Sequence, residues 1–224
     1  MAETEILDSS AVPAPPPARR RRSRRGRILR VTGLVFIAAA LALAGYLWWN
    51  LWGTGFATQR AQDNLRPGFE RNVASLTPAD APDRVANVPG DAVAIIRIPK
   101  IGVDYVVVEG TDTESLKKGP GHYTTSAYPW EDKGRVGIAG HRTTYLAPFW
   151  SLNELREGDR IVLATEYGIF EYRVTRTVVT PPSGILPSDG SVLAQTEQPS
   201  LVLTTCNPRF SASTRLVVIA DRVD

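Results

Sequence analysis

The segment that most constrains the fold reads LVLTTCNPRFSASTRLVVIAD, residues 201–221. Its two ends, Leu201–Thr205 and Arg215–Asp221, are rich in Val, Ile, Leu and Thr, which favour β-strands. The polar residues between them include Asn, Pro and Ser, which are typical of turns. The segment therefore predicts a pair of strands, with Cys206 at the end of the first strand and Arg215 at the start of the second.

Cys206 is the only cysteine among the 224 residues of the chain. A thiol becomes a nucleophile when a nearby cation or general base supports its charge, and a strand terminus holds the sulfur rigid yet accessible. The position beside Arg215 therefore favours a catalytic cysteine. The alternative is a small buried hydrophobe, which is the usual environment of a free cysteine.

Short β-rich runs separated by turn residues begin at about Asp91 and continue to the C-terminus. Seven or eight short strands with few helices indicate one antiparallel barrel or sandwich, and a segment of this length can bury a single core. Two short helices are predicted at Thr113–Lys118 and Ala147–Leu155. The further predicted strands are Ala92–Ile98, Val103–Glu109, Arg135–Ala139, Arg160–Thr165 and Ile169–Val179.

The N-terminal region has the pattern of a membrane anchor. The run from Val31 to Leu51 contains no charged residue, and a helix of that length spans about 30 Å, the thickness of bilayer hydrocarbon. Tyr and Trp crowd its far end, where amphipathic rings prefer the membrane interface. We therefore predict a transmembrane helix over residues 31–52. A cleaved signal peptide is the alternative, but its apolar core is shorter.

Eight arginines between residues 19 and 30 precede this helix. Such a flank places the N-terminus in the cytoplasm and the C-terminal domain outside the cell membrane. The Pro/Ala- and Arg-rich tail, residues 1–30, is predicted to be disordered. Residues 53–90, interrupted by prolines, are predicted to form an extracellular stalk with a short helix at Thr58–Asn64. The exported part carries nearly equal numbers of acidic and basic residues, which argues against a nucleic-acid partner.

The chain has two histidines, and both lie next to glycines. His141 ends the apolar run VGIAG, and His122 lies in GPGHY. An imidazole transfers protons near neutral pH, and a Cys–His pair is the arrangement that cysteine hydrolases and transferases need. A permanent cation such as Arg215 suits the stabilisation of developing negative charge. Arg209, three residues after the cysteine, is the alternative cation.

Taken together, these motifs resemble the sortase family. The block LTTCNPRFSA, residues 203–212, with Arg215 behind it, is similar to the Leu-x-Thr-Cys…Arg signature of sortases. GPGHY precedes IAGHR by about twenty residues, which is the other half of that pattern. The TTY and APF segments after His141 and the block around Cys206 most resemble class E sortases of actinobacteria. The match extends over residues 91–224, in the family's order and behind a membrane anchor.

The resemblance implies an all-β catalytic domain, a closed eight-stranded sortase-type barrel with one or two short helices. It implies a transpeptidase in which Cys206 attacks the Thr–Gly bond of a sorting signal and holds the protein as a thioester. His141 would act as general acid and base, and Arg215 would stabilise the oxyanion or position the substrate. The implied partners are surface proteins with an LPxTG-like signal, LAxTG in class E, and an acceptor amine of a cell-wall precursor or pilin.

The sequence departs from the family after the first histidine, where many relatives read GHYPGTxxPG. Here GHY is followed by TTSAYPW, so bulkier residues replace the glycines. We predict that Ser126 and Tyr128, together with Thr205 and His122, bind substrate and shape the pocket for a small second residue of the signal. Asn207 follows the cysteine where class E members often carry histidine, which removes any proton relay at that position.

Neither a metal nor a cofactor is predicted. The two histidines and one cysteine lack the ligand spacing of a zinc site, and thioester chemistry needs no cofactor. Another exported cysteine enzyme is a weaker alternative, because its cysteine would lie in a different motif. The alternative of another class is a non-catalytic, membrane-tethered β-domain that binds cell-wall or surface proteins. That alternative leaves the conjunction of Cys206, His141 and Arg215 unexplained.

Overall fold

The computed structural model describes residues 24–49, 53–81, 90–185 and 191–223. The chain divides into two units, the first ending at Ala44 and the second beginning at Gly45. The predicted disordered tail lies outside the described residues up to residue 23. Parts of the predicted span and stalk, residues 50–52 and 82–89, also lie outside them.

An apolar helix, α1, extends from Arg24 to Trp48 and has no buried residue. Within the described ranges it is the one helix that is long and apolar enough to cross a membrane. The predicted apolar helix is therefore confirmed as a candidate span. It begins earlier than predicted, because arginine is a good helix former and the helical backbone continues into the basic flank.

Eight strands form a closed barrel in the order β1-β2-β3-β4-β7-β8-β6-β5, which confirms the predicted fold class. The strands are β1 (Ala92–Ile98), β2 (Val103–Glu109), β3 (Gly121–His122), β4 (Arg135–Ala139), β5 (Arg160–Thr165), β6 (Gly168–Thr180), β7 (Ser200–Asn207) and β8 (Thr214–Val223). One short helix, α3 (Thr113–Lys118), has its predicted bounds and is capped by Asp112, whose carboxylate accepts from the backbone N–H groups of residues 114 and 115.

Two strand pairs of the barrel are parallel, whereas the sequence pattern predicts an antiparallel sheet. β3 pairs parallel with β2, and β4 pairs parallel with β7. A parallel pair needs a crossover connection. Helix α3 lies in the crossover between β2 and β3, and the β5–β6 hairpin lies between β4 and β7. Strand β3 escapes prediction because two residues are too few to show alternation.

Strand β7 is buried on both faces, which explains its unbroken apolar run. Leu201 and Leu203 belong to the main core inside the barrel, together with the fully buried Phe149 and Tyr172. Val202 points the other way and packs in a second cluster with Leu193, Val217 and Ile219. A strand enclosed in this way offers little freedom, so its end holds the following residues in a fixed place.

Helix α2 extends from Thr54 to Asn72 and is much longer than the helix predicted within the stalk. Polar side chains four residues apart attach this helix to the barrel. Thr58 donates to the Lys117 carbonyl oxygen at 2.7 Å, and Gln62 bonds the backbone of Val106 and Lys118. Because these contacts are polar, the helix shows no apolar stripe of the usual kind, which is why sequence periodicity underestimates it.

The prediction of a helix at Ala147–Leu155 is wrong. The segment consists of turns and a single three-ten turn, Leu152–Glu154. Tyr145, Leu146 and Ala147 have positive φ values of 53°, 62° and 45°. Pro148 follows, and the residue before a proline is disfavoured in the right-handed helical conformation. The left-handed turn formed by residues 145–147 therefore ends at the first residue of the predicted helix and prevents a helix from starting there.

Candidate active site

Two strand registers bring the predicted catalytic residues to one end of the barrel. Across the antiparallel pair β7–β8, Cys206 lies opposite Arg215, and directly opposed side chains project from the same face. Across the parallel pair β4–β7, Ala139 lies beside Thr204. His141 and Cys206 each follow those partners by two residues, so both leave the sheet at the same end.

Cys206, His141 and Arg215 line a common cavity of about 300 Å³. Thr205, one of the predicted substrate-binding residues, also lines it. The other walls include Tyr123 and the aliphatic side chains Leu116 and Ile185. The cavity thus combines a thiol, an imidazole and a guanidinium with apolar walls. This combination suits covalent attack on a carbonyl whose neighbouring side chains are apolar.

His141 is partly buried, and this burial lowers its pKa from the ordinary value. The charged form of an imidazole is disfavoured away from water. At neutral pH the ring is therefore neutral and able to accept a proton. Its face lies against Tyr145, with ring centroids 4.8 Å apart and an interplanar angle of 34°.

The backbone around Cys206 is held by the buried guanidinium of Arg142. Its Nη1 donates to the Cys206 carbonyl oxygen at 3.1 Å and to Asn207 Oδ1 at 2.7 Å. Its Nη2 donates to Asn153 Oδ1 at 2.9 Å. Arg142 is therefore a brace for the cysteine, which the sequence reasoning missed. The signal that could have found it is its position directly after His141.

Thr205 connects the two strands that carry the thiol and the imidazole. Its hydroxyl donates to the Gly140 carbonyl oxygen at 2.7 Å, directly before His141. Asn207 is likewise occupied, since its Nδ2 donates to Thr214 Oγ1 at 3.0 Å. These bonds couple β7 to the ends of both β4 and β8.

The two candidate cations have different surroundings. Arg215 lines the cavity, and its Nη1 donates to the carbonyl oxygens of Ala212 and Thr214 at 2.9 and 3.1 Å. Arg209 is directed elsewhere: its guanidinium lies 4.3 Å from the ring centroid of Trp150 and bonds the carbonyl oxygen of that residue. The geometry thus associates Arg215 with the thiol and Arg209 with the neighbouring loop.

His122, Ser126 and Tyr128 do not line the cavity among its described wall residues; they form a buried network beside it. His122 Nδ1 lies 3.1 Å from Glu109 Oε2, and the two side chains are 1% and 2% exposed. His122 Nε2 lies 3.0 Å from Ser126 Oγ, and the Tyr128 hydroxyl donates to Glu109 Oε2 at 3.3 Å. Desolvation, with the nearby Glu109 carboxylate, raises the pKa of Tyr128.

The network supports the cavity wall through Tyr123. Ser126 Oγ donates to the Tyr123 carbonyl oxygen at 2.8 Å and accepts from the Gly137 N–H at 2.9 Å. The Tyr123 hydroxyl in turn bonds Thr204 Oγ1 at 2.9 Å, two residues before Cys206. Tyr123 is the wall residue that sequence reasoning overlooked, although it directly follows His122.

Comparison with known proteins identifies a matching family. The family model described as "Sortase domain" matches residues 96–223. Sortase D of Bacillus subtilis (strain 168) is 33% identical over 205 residues, covering 87% of this chain and 98% of that protein. Sortase SrtE1 of Streptomyces coelicolor is 30% identical over 214 residues, covering 87% of this chain and 57% of that protein.

Solved structures agree in fold. A Clostridium perfringens sortase D5 transpeptidase is 28% identical with a TM-score of 0.61, covering 74% of this chain and 99% of that chain. The sortase E1 of Streptomyces coelicolor with a tripeptide in the active site is 32% identical with a TM-score of 0.54. That alignment covers 62% of this chain and 92% of the other.

Proposed function

The chain belongs to the sortase family of cysteine transpeptidases, and we propose that it cleaves the Thr–Gly bond of an LAxTG-like sorting signal and transfers the protein to an amine. The observation that carries this proposal is the shared cavity of Cys206, His141 and Arg215. Each of the three residues has a distinct part in the reaction. The character of the cavity walls supports the assignment of the signal, and the proposed membrane topology supports the assignment of the acceptor.

The reaction proceeds in two acyl transfers. Cys206 Sγ attacks the threonine carbonyl carbon while His141 takes the thiol proton. The carbon–nitrogen bond then breaks, the glycine nitrogen receives that proton from His141, and the threonine acyl group remains on sulfur as a thioester. In the second transfer an acceptor amine attacks the thioester carbon and loses a proton to His141. The carbon–sulfur bond then breaks and the new amide leaves, while His141 gives that proton to the sulfur and so restores the thiol.

The lowered pKa of His141 fits both directions of proton transfer. A neutral imidazole is the form that removes a proton. Because burial disfavours the imidazolium, the protonated ring is a good acid toward the leaving amine. Arg215 stays charged throughout, because a guanidinium cannot be deprotonated in proteins. Its place opposite Cys206 suits stabilisation of the oxyanion that forms at the carbonyl under attack.

The preference for LAxTG rests on the apolar walls of the cavity. Leu116 and Ile185 offer aliphatic surface, which suits the leucine of the signal and the methyl group of an alanine. The burial of the Tyr123 ring raises the pKa of its hydroxyl. The same ring narrows the cavity, so a small residue at the second position of the signal is favoured. Class E character is part of this proposal; Sortase D of Bacillus subtilis is 33% identical to the chain and sortase SrtE1 of Streptomyces coelicolor is 30% identical.

The membrane topology follows from the charge pattern. Helix α1 anchors the chain, the arginine-rich side faces the cytoplasm, and the barrel acts outside the cell membrane. The acceptor is then an amino group of a cell-wall precursor or of a pilin, and the donor is an exported surface protein. Protease treatment of intact cells tests this orientation: it should digest the barrel and spare an N-terminal epitope.

The central experiment uses the full chain in detergent with a library of LAxTG and LPxTG peptides. Several amines are offered as acceptors, and the products are identified by mass spectrometry. We expect cleavage between Thr and Gly, a thioester adduct on Cys206, and faster turnover of LAxTG peptides. Cys206→Ala should abolish all three while retaining the thermal unfolding profile. Transfer by Cys206→Ala at the wild-type rate would refute the proposal.

A further inference from the structure

The loop directly after His141 has a strained backbone. Tyr145, Leu146 and Ala147 take positive φ values of 53°, 62° and 45° in succession. Residues with a Cβ atom avoid this region because Cβ approaches the carbonyl oxygen too closely. Such strain persists only where surrounding contacts over-determine the conformation, and it concentrates at functional sites. The contacts that hold this loop are therefore informative.

The strained turn presents an aromatic ring to the imidazole. The Tyr145 ring lies 4.8 Å from the His141 ring, centroid to centroid. The turn is closed by a bond from the Ala147 N–H to the Thr144 carbonyl oxygen at 2.8 Å. It is joined to the histidine by a bond from the Phe149 N–H to the His141 carbonyl oxygen at 3.1 Å. The ring of Tyr145 thus limits the orientations open to His141.

The first turn of helix α2, which is distant in sequence, contacts this loop and holds it in place. The Tyr145 N–H donates to Thr54 Oγ1 at 3.2 Å, across 91 residues of sequence. Leu146 packs over Gly55 so closely that a Cβ atom added to that glycine would lie 3.0 Å from Leu146 Cδ2. A hydroxyl and a bare glycine therefore hold both the backbone and the side chain of the strained turn.

Helix α2 can hold the loop in place because other contacts fix the helix on the barrel. The completely buried Thr58 lies one turn after Thr54 and donates to the Lys117 carbonyl oxygen at 2.7 Å. Gln62, a further turn along, bonds both the N–H and the carbonyl oxygen of Val106 in β2. The position of Thr54 is thus set by the barrel, and the loop is set by Thr54.

We propose that Thr54 and Tyr145 are positioning residues for His141: α2 holds the strained turn, and the Tyr145 ring holds the imidazole toward Cys206. This inference rests on the proposed function, in which His141 transfers protons at the thiol. Neither residue is among the described residues that line the cavity, and Tyr145 acts through its contact with the His141 ring. Their loss is therefore expected to slow the chemical step without weakening the binding of the peptide.

The test compares two side chains of helix α2, Thr54 and Gln59, in the full chain in detergent, with an LAxTG peptide as donor. Thr54→Val keeps the shape of the side chain but removes the acceptor oxygen, and should lower kcat about tenfold with KM within about twofold. Thr54→Ser restores the acceptor and should recover most of the rate. Gln59→Leu alters an exposed side chain of the same helix, whose Nε2 donates to Asp63 Oδ1, and should leave kcat within about twofold.

A second variant removes the ring without adding backbone strain. Asparagine tolerates positive φ better than tyrosine, so Tyr145→Asn should preserve the turn yet lower kcat about tenfold. Thermal unfolding checks that this variant folds. In histidine NMR spectra, Thr54→Val and Tyr145→Asn should both move the His141 Cε1–H signal, because the imidazole lies against the Tyr145 ring. Gln59→Leu should leave the signal in place.

The outcomes separate this inference from the function on which it rests. Wild-type kcat in folded Tyr145→Asn, or equal losses in Thr54→Val and Gln59→Leu, would overturn the positioning role. His141→Asn is measured in the same assay. If His141→Asn keeps wild-type activity, the failure belongs to the proposed function. If it is inactive while the Thr54 and Tyr145 variants are unaffected, only the present inference fails.

Discussion

Cys206 receives its chemical surroundings from two neighbouring strands, one on each side of β7. Strand β8 supplies Arg215 directly opposite the cysteine, whereas β4 ends beside Thr204 and leads into His141. The backbone of Cys206 is also fixed, because Arg142 Nη1 donates to its carbonyl oxygen. A change of one residue in either register would turn a partner to the opposite face of the sheet. The proposed catalytic arrangement therefore depends on register as much as on residue type.

The guanidinium of Arg215 is expected to be irreplaceable by an ammonium. Arg215→Lys should lower kcat/KM by about ten- to a hundredfold, because a point charge does not reproduce a planar fork of donors at an oxyanion. Steady-state kinetics with an LAxTG peptide measure the loss. Arg209→Lys is the matched control, since Arg209 bonds the Trp150 carbonyl oxygen instead. Equal losses in the two variants would contradict the assignment.

His141 is expected to titrate below the ordinary histidine value of about 6.5, because burial lowers its pKa. Below that pH the unfolded chain binds a proton that the folded chain resists, so the stability from a neutral His141 falls as pH drops through about 6.5. Titration of the Cε1–H signals by NMR, assigned with His141→Asn, gives the midpoint. In urea unfolding, His141→Asn should lose less stability between pH 7 and pH 5 than wild type. A midpoint above 6.5 would contradict the burial argument.

Helix α2 is bound to the barrel by hydrogen bonds at positions where an apolar stripe would be expected. Thr58, Gln62 and Arg66 follow one another at intervals of four residues, so they lie on one face of the helix. Each bonds a carbonyl oxygen of α3 or β2. Phe69 completes the contact by packing with Ile95 in the apolar cluster behind the barrel. The helix is therefore part of the folded domain.

Gln62→Leu tests this polar docking. The substitution leaves the N–H and carbonyl oxygen of Val106 and the carbonyl oxygen of Lys118 without their side-chain partner. We expect the free energy of unfolding to fall by about 2–4 kcal/mol, because unsatisfied buried groups lose their hydration without compensation. Urea unfolding of the full chain measures it. Gln59→Leu, on the exposed face of the same helix, should change stability by less than about 0.5 kcal/mol.

A short parallel pair between β2 and β3, here called the seam, closes the barrel. Only two residues of β3 pair with β2, and Glu109 lies beside His122 in that register. Their side chains form the buried pair, which Tyr128 joins through its hydroxyl and its ring. The two-residue strand thus gains side-chain bonds where backbone bonds are few. This network stabilises the wall that carries Tyr123 into the cavity.

Glu109→Gln should destabilise the domain by about 3 kcal/mol, because it disrupts a desolvated, hydrogen-bonded pair from one side. The matched control is Glu197→Gln, which removes an exposed pair with Lys133 and should cost less than about 1 kcal/mol. Thermal and urea unfolding compare the two. Equal stability of both variants would show that the buried pair does not hold the seam together.

Most strands and the main site residues could be predicted from the chain alone. The bounds of β1, β2, β4 and β5 agree with the sequence prediction, because alternation and turn residues mark buried strands clearly. The catalytic assignments to Cys206, His141 and Arg215 came from motifs at strand ends, and they remain predictions. Arg142 and Tyr123 were missed because their parts depend on distant partners, Cys206 and Thr204.

The amino-acid sequence determined the apolar N-terminal helix, the β-rich domain and the motifs around Cys206 and His141, because hydrophobic periodicity and local turn chemistry are properties of neighbouring residues. Tertiary structure alone decided the parallel seams, the separation of His122 from the cavity, and the grip of Thr54 on the turn at Tyr145. Those features join residues up to 91 positions apart. Such contacts arise only when packing closes the barrel, since no local pattern records which distant groups will meet.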